Sequence, residues 1–407
     1  MILVCLVCIR TIVHAQNDHL EFYIDQALKN SPLLKDYQHQ VETNQLDSQR
    51  ILATYKPQVS GNSINSYAPV IGGWGYDEAI SNGTNVVANV GVNKTFVGKK
   101  NLASQFQTLR LQSQAVANTS KISEQDLKRT VASQYITTYG DLQQLNFIRD
   151  VNLLLAKEEG ILKELTQRNV YRQTDYLTFL VTLQQQKLAY RQLEVQYRND
   201  FATLNYLCGI TDTAATALQD PGIALAPLPD IYQSVFTRQF EIDSLKLVNN
   251  KSVIDFGYKP KANVFADAGY SSTLAFEPYK NFGTSFGFSV TVPIYDGHQR
   301  KIQYSKLDIA ERTRSAYKDF FLQQYRQQIA QLTQQLHATE ELIGQINDQI
   351  RYSESLITAN QKLMATGDAK IADYIIALNN YLSARNLLTQ NNITRMQIIN
   401  QINYWNR

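Results

Sequence analysis

Side chains capable of covalent or metal chemistry are few and scattered in this sequence. The five histidines, His14, His19, His39, His298 and His337, form no pair at metal-ligand spacing with one another or with a cysteine. Of the cysteines Cys5, Cys8 and Cys208, the last follows an apolar helix end, where a thiol packs as a small inert hydrophobe. Glu158-Glu159 and Glu340-Glu341 are adjacent acids on predicted helices. Neighbours one residue apart point in different directions, so neither pair makes a general acid and base. Gly72, Gly73 and Gly75 lie between strands with no helix directly following, unlike a phosphate-binding loop. Asp175 and Asp373 are placed more pointedly: each opens a helix after a sharp turn, where Asp is a favoured N-cap. No catalytic residue, metal or cofactor is expected, and the chain does not read as an enzyme.

The composition agrees with a non-catalytic role. The chain has 407 residues, a formal net charge of +3 and only 18% charged residues, with 24 tyrosines. No basic block suggests a nucleic-acid partner. A surface of uncharged polar groups rich in aromatics fits contact with both water and a bilayer interface. Residues 1–15 read as a signal peptide, with an apolar core from Ile2 to Ile9 and a cleavage pattern at Val13-His14-Ala15. There is no basic residue before that core, and Arg10 interrupts it, which leaves open a start further upstream. A lipid anchor at Cys5 or Cys8 is weighed against the Val that precedes each. Beyond Gln16 no apolar run approaches the roughly 20 residues of a membrane-spanning helix. An exported chain of this kind crosses a bilayer only with strands in a closed barrel.

The elements that carry the turn acids repeat. Tyr55-Lys56-Pro57 returns as Tyr258-Lys259-Pro260, Phe96-Val97-Gly98 as Tyr295-Asp296-Gly297, and Thr174-Asp175-Tyr176-Leu177 as Ala372-Asp373-Tyr374-Ile375, all at offsets of about 200 residues. The chain therefore divides into a first repeat, 16–220, and a second, 221–407, joined through a Pro-rich stretch at 221–229. Each half runs helix, two strands, very long helix, sharp turn, shorter helix. Strands are expected near 57–68, 85–97, 260–272 and 282–293. Val86, Ala88, Val90 and Val92 alternate with Asn and Gly, and Phe286, Phe288 and Val290 alternate with Gly, Ser and Thr. An apolar face opposite a small, polar one suits a barrel with lipid outside and water inside. A sheet half-buried on a protein core would look similar, but the Gly, Ser, Thr, Asn and Asp of the second face favour a wet lumen. Trp74, Tyr76, Tyr270 and Tyr279 near the strand ends are candidates for an interfacial aromatic belt.

Helix lengths constrain the architecture further. The helices after Gly98 and Gly297, ending near Arg168 and Thr366, are each about 100 Å long. The helices Leu20–Tyr55, Asp175–Leu207, Phe236–Gly257 and Asp373–Trp405 are each about half as long or less. Stacked end to end, two short helices match one long one, with residues 208–235 and the C-terminus at mid-height. Leu193, Tyr197, Phe201 and Leu204 form one narrow apolar stripe, and Val131, Tyr135, Tyr139 and Leu142 another, as in a wall wet on both sides. Four strands per chain cannot close a barrel, which needs about eight or more, so the protomer must oligomerise around an axis. Strand count alone leaves two or three copies open.

Taken together, the chain resembles the TolC family of outer-membrane efflux proteins over essentially all of the mature sequence. The most specific residues are Val290-Thr291-Val292-Pro293-Ile294-Tyr295-Asp296-Gly297, the Lys-Pro pairs at 56–57 and 259–260, and the turn Gly367 to Asp373. His298 stands where the family often has a second Gly, the first junction reads Lys94-Thr95-Phe96-Val97-Gly98 without Pro, and Asn169 replaces a turn Gly. The resemblance implies a mainly α chain whose four strands join a homotrimer's twelve-stranded barrel in outer-membrane lipid, above a helical tunnel in the periplasm. It implies a passive exit duct of a tripartite efflux or type I secretion system, docked to a periplasmic adaptor (membrane fusion) protein and an inner-membrane RND or ABC transporter. By the same carry-over, Asn169, Val170, Tyr171, Gly367, Asp368, Ala369 and Lys370 are the adaptor-docking turns. Thr174, Asp175 and Asp373 belong to the pore tip. The family's second constricting acid falls on Ile376, which leaves a single ring of Asp373. The Arg that pairs with the first-turn Asp in the family falls on Ala369, so a latch between turns would have to be made differently. The rival reading, a surface-anchored coiled-coil structural or adhesive protein, does not account for the strand pairs.

Overall fold

The computed structural model describes residues 19–75, 83–212, 214–228, 230–275 and 277–405. The expected signal peptide and Tyr76 lie outside the described residues. The chain divides into two compact units, 1–34 with 121–234 and 322–407, and 35–120 with 235–321. Each draws on both halves of the sequence.

The first helical stretch is broken, where the sequence pattern predicts one uninterrupted helix. α1 spans Leu20–Asn30 and α2 spans Pro32–Thr54. Between them Ser31 is extended, with ψ 116°, although its N–H still donates to Ala27 O at 3.0 Å. Proline disfavours the helical region for the residue before it and is itself at home in a helix's first position, so Ser31-Pro32 ends one helix and opens the next. Pro57 acts similarly at the far end, after which β1 begins at Gln58.

The second unit holds the sheet. β1 (Gln58–Tyr67), β2 (Thr84–Phe96), β3 (Lys261–Ser272) and β4 (Phe282–Thr291) run in that order, each antiparallel to its neighbours. The middle pairing, β2 on β3, joins the two halves of the sequence. The register puts Val92, Ala266 and Phe286 in one row, Lys94, Val264 and Phe288 in the next, and Phe96, Ala262 and Val290 beyond them, all on one face. The opposite face carries Asn89, Asn93, Asn263, Asp267, Ser285 and Ser289. Phe265 also lies on that polar side, its ring over Gly287, where an added Cβ would come within 2.6 Å of Phe265 Cζ. β1 and β4 are the outer strands, each hydrogen-bonded to one neighbour.

Helices enter and leave this sheet through polar anchors. α5 (Val235–Gly257) precedes β3, α6 (Gln299–Thr366) follows β4, and α3 (Lys99–Gln167) follows β2. Asp296 accepts the N–H groups of His298 and Arg300 at 2.9 and 2.8 Å, satisfying donors at the start of α6. Gly297 and His298 both take positive φ there, 63° and 67°, so the substituted His keeps the backbone that a second Gly would supply. Asn249 donates to Ser104 O and Thr108 Oγ1, fixing α5 to α3.

The first unit is helical. It holds residues 121–167 of α3 and 322–366 of α6. α4 (Gln173–Cys208) returns beside α3, and α7 (Ile371–Asn403) beside α6. Both expected stripes face the interior: Val131, Tyr135, Phe201 and Leu204 are buried with Tyr23 of α1 and Cys208. Tyr23 touches Tyr135 and Phe201 with ring centroids 5.6 and 6.4 Å apart. Tyr135 Oη donates to Gln219 O at 2.8 Å, so a buried ring also holds the connection after α4. Leu332 and Leu336 of α6 pack on Ile398, Ile399 and Ile402 of α7. α3 and α7 approach closely at Gly140, where any Cβ would collide with the Ile393 side chain.

Candidate functional site

The turn ending α3 is built from its backbone. Asn169 takes φ 63°, the left-handed region that Asn tolerates better than other side-chain-bearing residues. The N–H groups of Asn169 and Val170 reach back to Thr166 O and Leu165 O, each at 3.0 Å, closing the helix. Arg172 is the N-cap of α4, and its N–H donates to Asp175 Oδ2 at 3.3 Å. Asp175 is therefore three residues inside the helix and closes the cap from there, correcting the expectation that it is the cap itself.

The second turn follows the same plan. Gly367 takes φ 85°, and Asp368 N–H donates to Leu363 O at 2.9 Å. Lys370 is the N-cap of α7, which again places the aspartate, Asp373, in the first turn rather than at the cap. An acid in a helix's first turn is favourable beside its exposed N–H groups. Asp373 is exposed and Asp175 half-buried.

The two turns are joined. Tyr171 Oη lies 3.1 Å from Met364 O and 2.9 Å from Ala369 O, donating to the carbonyls of the opposite turn. Val170 fills the space next to Gly367, where a Cβ would come within 2.6 Å of Val170 Cγ1. Ala369 is buried and contributes its carbonyl to this contact, whereas Val170, Thr174, Asp368 and Lys370 are exposed. The contact between the turns is thus a neutral hydrogen bond from an aromatic side chain.

Beneath the turns, Leu155, Leu162, Phe179, Leu183, Met364 and Tyr374 form a continuous core. The Phe179 and Tyr374 rings stack at 6.3 Å with 25° between planes. The adjacent acids of α3 serve different helices. Glu159 accepts from Tyr176 Oη of α4 at 2.5 Å, while buried Glu158 faces α6, 3.4 Å from Gln361 Nε2. Burial holds the Glu158 carboxyl above its ordinary range. Burial, with the Glu158 charge nearby, pushes the Tyr374 hydroxyl up to about 12. Cys208 is fully buried, and burial pushes its thiol up to about 12, so it is an inert packing group.

A second acid pair escapes sequence reasoning, because its members are far apart in the chain and sit on two different helices. Asp141 of α3 is 7% exposed and faces Asp200 of α4. Gln196 Nε2 donates to Asp141 Oδ1 at 3.2 Å, and Gln134 Nε2 to Asp200 O at 3.1 Å. Burial first, then the Asp200 carboxyl, raises Asp141 to about 7.

The other candidate surface is the apolar sheet face. Phe286 is 89% exposed and Phe288 79%. From the Phe96–Ala262–Val290 row to the Ala88–Tyr270–Phe282 row the face runs about 27 Å along the strands, close to the height of a barrel's apolar band. Tyr270 packs on Phe282 at one end, with centroids 5.1 Å apart. Trp74 and Tyr279 are exposed in the connections at that end. At the other end Lys94 lies on the apolar side with Nζ over the Phe96 ring, 5.3 Å from its centroid, a cation on an aromatic face. Among the described residues no helix is long and apolar enough to cross a membrane, and no group of three or more His, Cys, Asp or Glu could hold a metal ion.

The architecture, a four-stranded antiparallel sheet with paired long helices, is the TolC-like outer-membrane channel fold. No protein-family model matches the sequence, and no curated protein does. Among solved structures it is similar to CusC, described for transmembrane channel formation, with a TM-score of 0.77 and 12% identity over 95% of this chain and 91% of that one. It is also similar to the outer membrane protein VceC of Vibrio cholerae, with a TM-score of 0.73 and 13% identity over 95% and 96% of the two chains. The CmeC outer membrane channel of Campylobacter jejuni gives 0.72 and 12% over 95% and 85%.

Proposed function

We propose that this chain is one protomer of a homotrimeric outer-membrane exit duct, with its sheet in the outer membrane and its helices in the periplasm. The observation that carries the proposal is the unfinished sheet: ten-residue outer strands with one neighbour each, and a bare apolar face. An open edge in hydrocarbon leaves backbone groups unpaired at several kcal/mol each, so sister chains must close it. Three copies supply twelve strands, with the Val, Ala and Phe rows toward lipid and the Asn, Ser and Asp rows toward water. Trp74, Tyr270 and Tyr279 sit where an interfacial belt belongs.

The joined turns are where a periplasmic adaptor docks, on Asn169, Val170, Asp368 and Lys370. The adaptor links the duct to an inner-membrane RND or ABC pump that supplies the energy. Three exposed Asp373 carboxylates ring the passage there and favour cations. The chain itself performs no catalysis.

Planar-bilayer recording on detergent-extracted oligomers tests this. A heat-resistant three-copy species should conduct in steps and prefer cations, and Asp373→Asn should lower that preference and weaken block by polyvalent cations. An intact oligomer that never conducts would remove the duct. An unchanged reversal potential in Asp373→Asn would remove the ring.

A further inference from the structure

The sheet has one end at which helices enter and leave, and the charge there is one-sided. β1 and β3 begin at this end, β2 and β4 finish at it, and α3 and α6 start just beyond. Lys56 and Lys259 stand two residues ahead of β1 and β3. Lys94 lies near the end of β2, Lys99 and Lys100 open α3, and Lys301 is in the first turn of α6. Lys94 is half-buried and the others are exposed. Among the described residues the lysines in ion pairs are Lys128, Lys246 and Lys280, so none of these six has a carboxylate partner. The acids that could neutralise them are engaged or missing. Asp255 accepts from Arg300 and from Tyr304 Oη, and Asp296 from the N–H groups that open α6. Residues 55–58 and 94–101 contain no acid.

Helix stability does not call for these cations. Lys99, Lys100 and Lys301 sit in first turns, beside exposed N–H groups, where positive charge is unfavourable. At the opposite end of the sheet Glu277 and Lys280 neutralise each other at 2.8 Å, and the exposed aromatics Trp74 and Tyr279 are uncharged. Apolar groups accompany the unpaired lysines. Lys94 is on the apolar face over Phe96, and Lys259 Nζ is 4.7 Å from the centroid of the Phe256 ring. Val292 and Ile294, in the connection after β4, are exposed. Unpaired cations beside bare apolar groups fit a surface that offers phosphates and acyl chains together, which a soluble anion does not.

We propose that these six lysines form a basic collar that binds the headgroups of anionic phospholipids in the leaflet next to the helices. Lys94 lays its stem along the apolar face and carries its ammonium to the headgroups. This rests on the outer-membrane reading above and adds the class of lipid that the rim selects. Each cation near an anionic bilayer surface strengthens attachment about fivefold, an effect screened over about 8 Å at physiological salt.

The test is native mass spectrometry of the detergent-extracted full-length oligomer, titrated with phosphatidylglycerol and with phosphatidylcholine of the same chains. Phosphatidylglycerol should bind at least about fivefold more tightly, and the preference should fall as ammonium acetate is raised. Lys94→Gln, Lys259→Gln and Lys301→Gln together should abolish the preference. The same three positions changed to Arg should keep it, since the charge is kept. Equal affinities for the two lipids in the wild-type oligomer overturn the collar and leave the membrane reading standing. A preference that survives the three Gln substitutions overturns its assignment to this end of the sheet. Displacement of phosphatidylglycerol by millimolar inorganic phosphate assigns the cations to a soluble anion and also overturns the collar. A chain that never fractionates with outer membranes removes the reading on which the collar rests.

Discussion

Tyr171 reaches across from one turn and places its hydroxyl between two carbonyls of the other. A neutral hydrogen bond of this kind contributes about 1 kcal/mol net and is insensitive to salt, unlike an exposed ion pair. Tyr171→Phe keeps the ring and removes the donor. Trypsin should then cut after Arg168 and Lys370 about fivefold faster, the factor expected for a loss of about 1 kcal/mol in holding the turns together. Unchanged cleavage would mean that Val170 and the core below suffice. Asp141 offers a second test, with a defined sign. Its carboxyl is raised from 3.8 to about 7, so between those values the folded chain holds a proton that the unfolded chain releases. Stability from this group is present below pH 3.8, declines as pH rises, and is gone above 7. Asp141→Asn, which can donate toward Asp200 at any pH, should melt higher than wild type at pH 8 and show a flatter melting-temperature profile between pH 4 and 7. Parallel profiles would count against a protonated Asp141. Some residue-scale features are legible in the sequence: Asn169 sits at a turn because few residues accept its backbone geometry. The Tyr171 clamp is not, since Tyr171 reads as a docking-surface residue and its acceptors are backbone groups nearly 200 positions away.

At the scale of elements, alternation along β2, β3 and β4 is a faithful guide because one face is mostly apolar where these strands pair. β2, β3 and β4 are visible through Val, Ala and Phe at every second position. The face assignment predicts unequal tolerance on one strand. Phe286→Arg puts a charge on the apolar face and should cost about 2–4 kcal/mol if that face meets lipid at mid-depth. Ser285→Arg points the other way and should leave the yield of membrane-embedded oligomer nearly intact. Equal loss from both, measured by heat-modifiable bands on gels, would mean that the faces are not differently solvated. The break between α1 and α2 is hidden although Ser31-Pro32 stands in the sequence. Helical periodicity continues on both sides of it, and one extended residue barely disturbs that pattern. Which strand of one half pairs with which strand of the other is not readable either, because β2 and β3 meet across about 165 intervening residues.

At the scale of the whole molecule, the repeated landmarks carry most of the legible information. Two copies of one element order account for the four strands and the two long helices, and solved channels at 12–13% identity share the resulting fold. Such divergence is tolerable because long paired helices ask only for narrow apolar stripes, which many side chains can supply.

The two outer strands, each with a single neighbour within its own chain, have a genetic corollary. If rings of three assemble at random, co-producing a damaged copy in equal amount with a sound one leaves only about one ring in eight free of damage. An allele that still associates but cannot conduct would then poison most of the pool, whereas one that cannot associate would be silent beside a good copy.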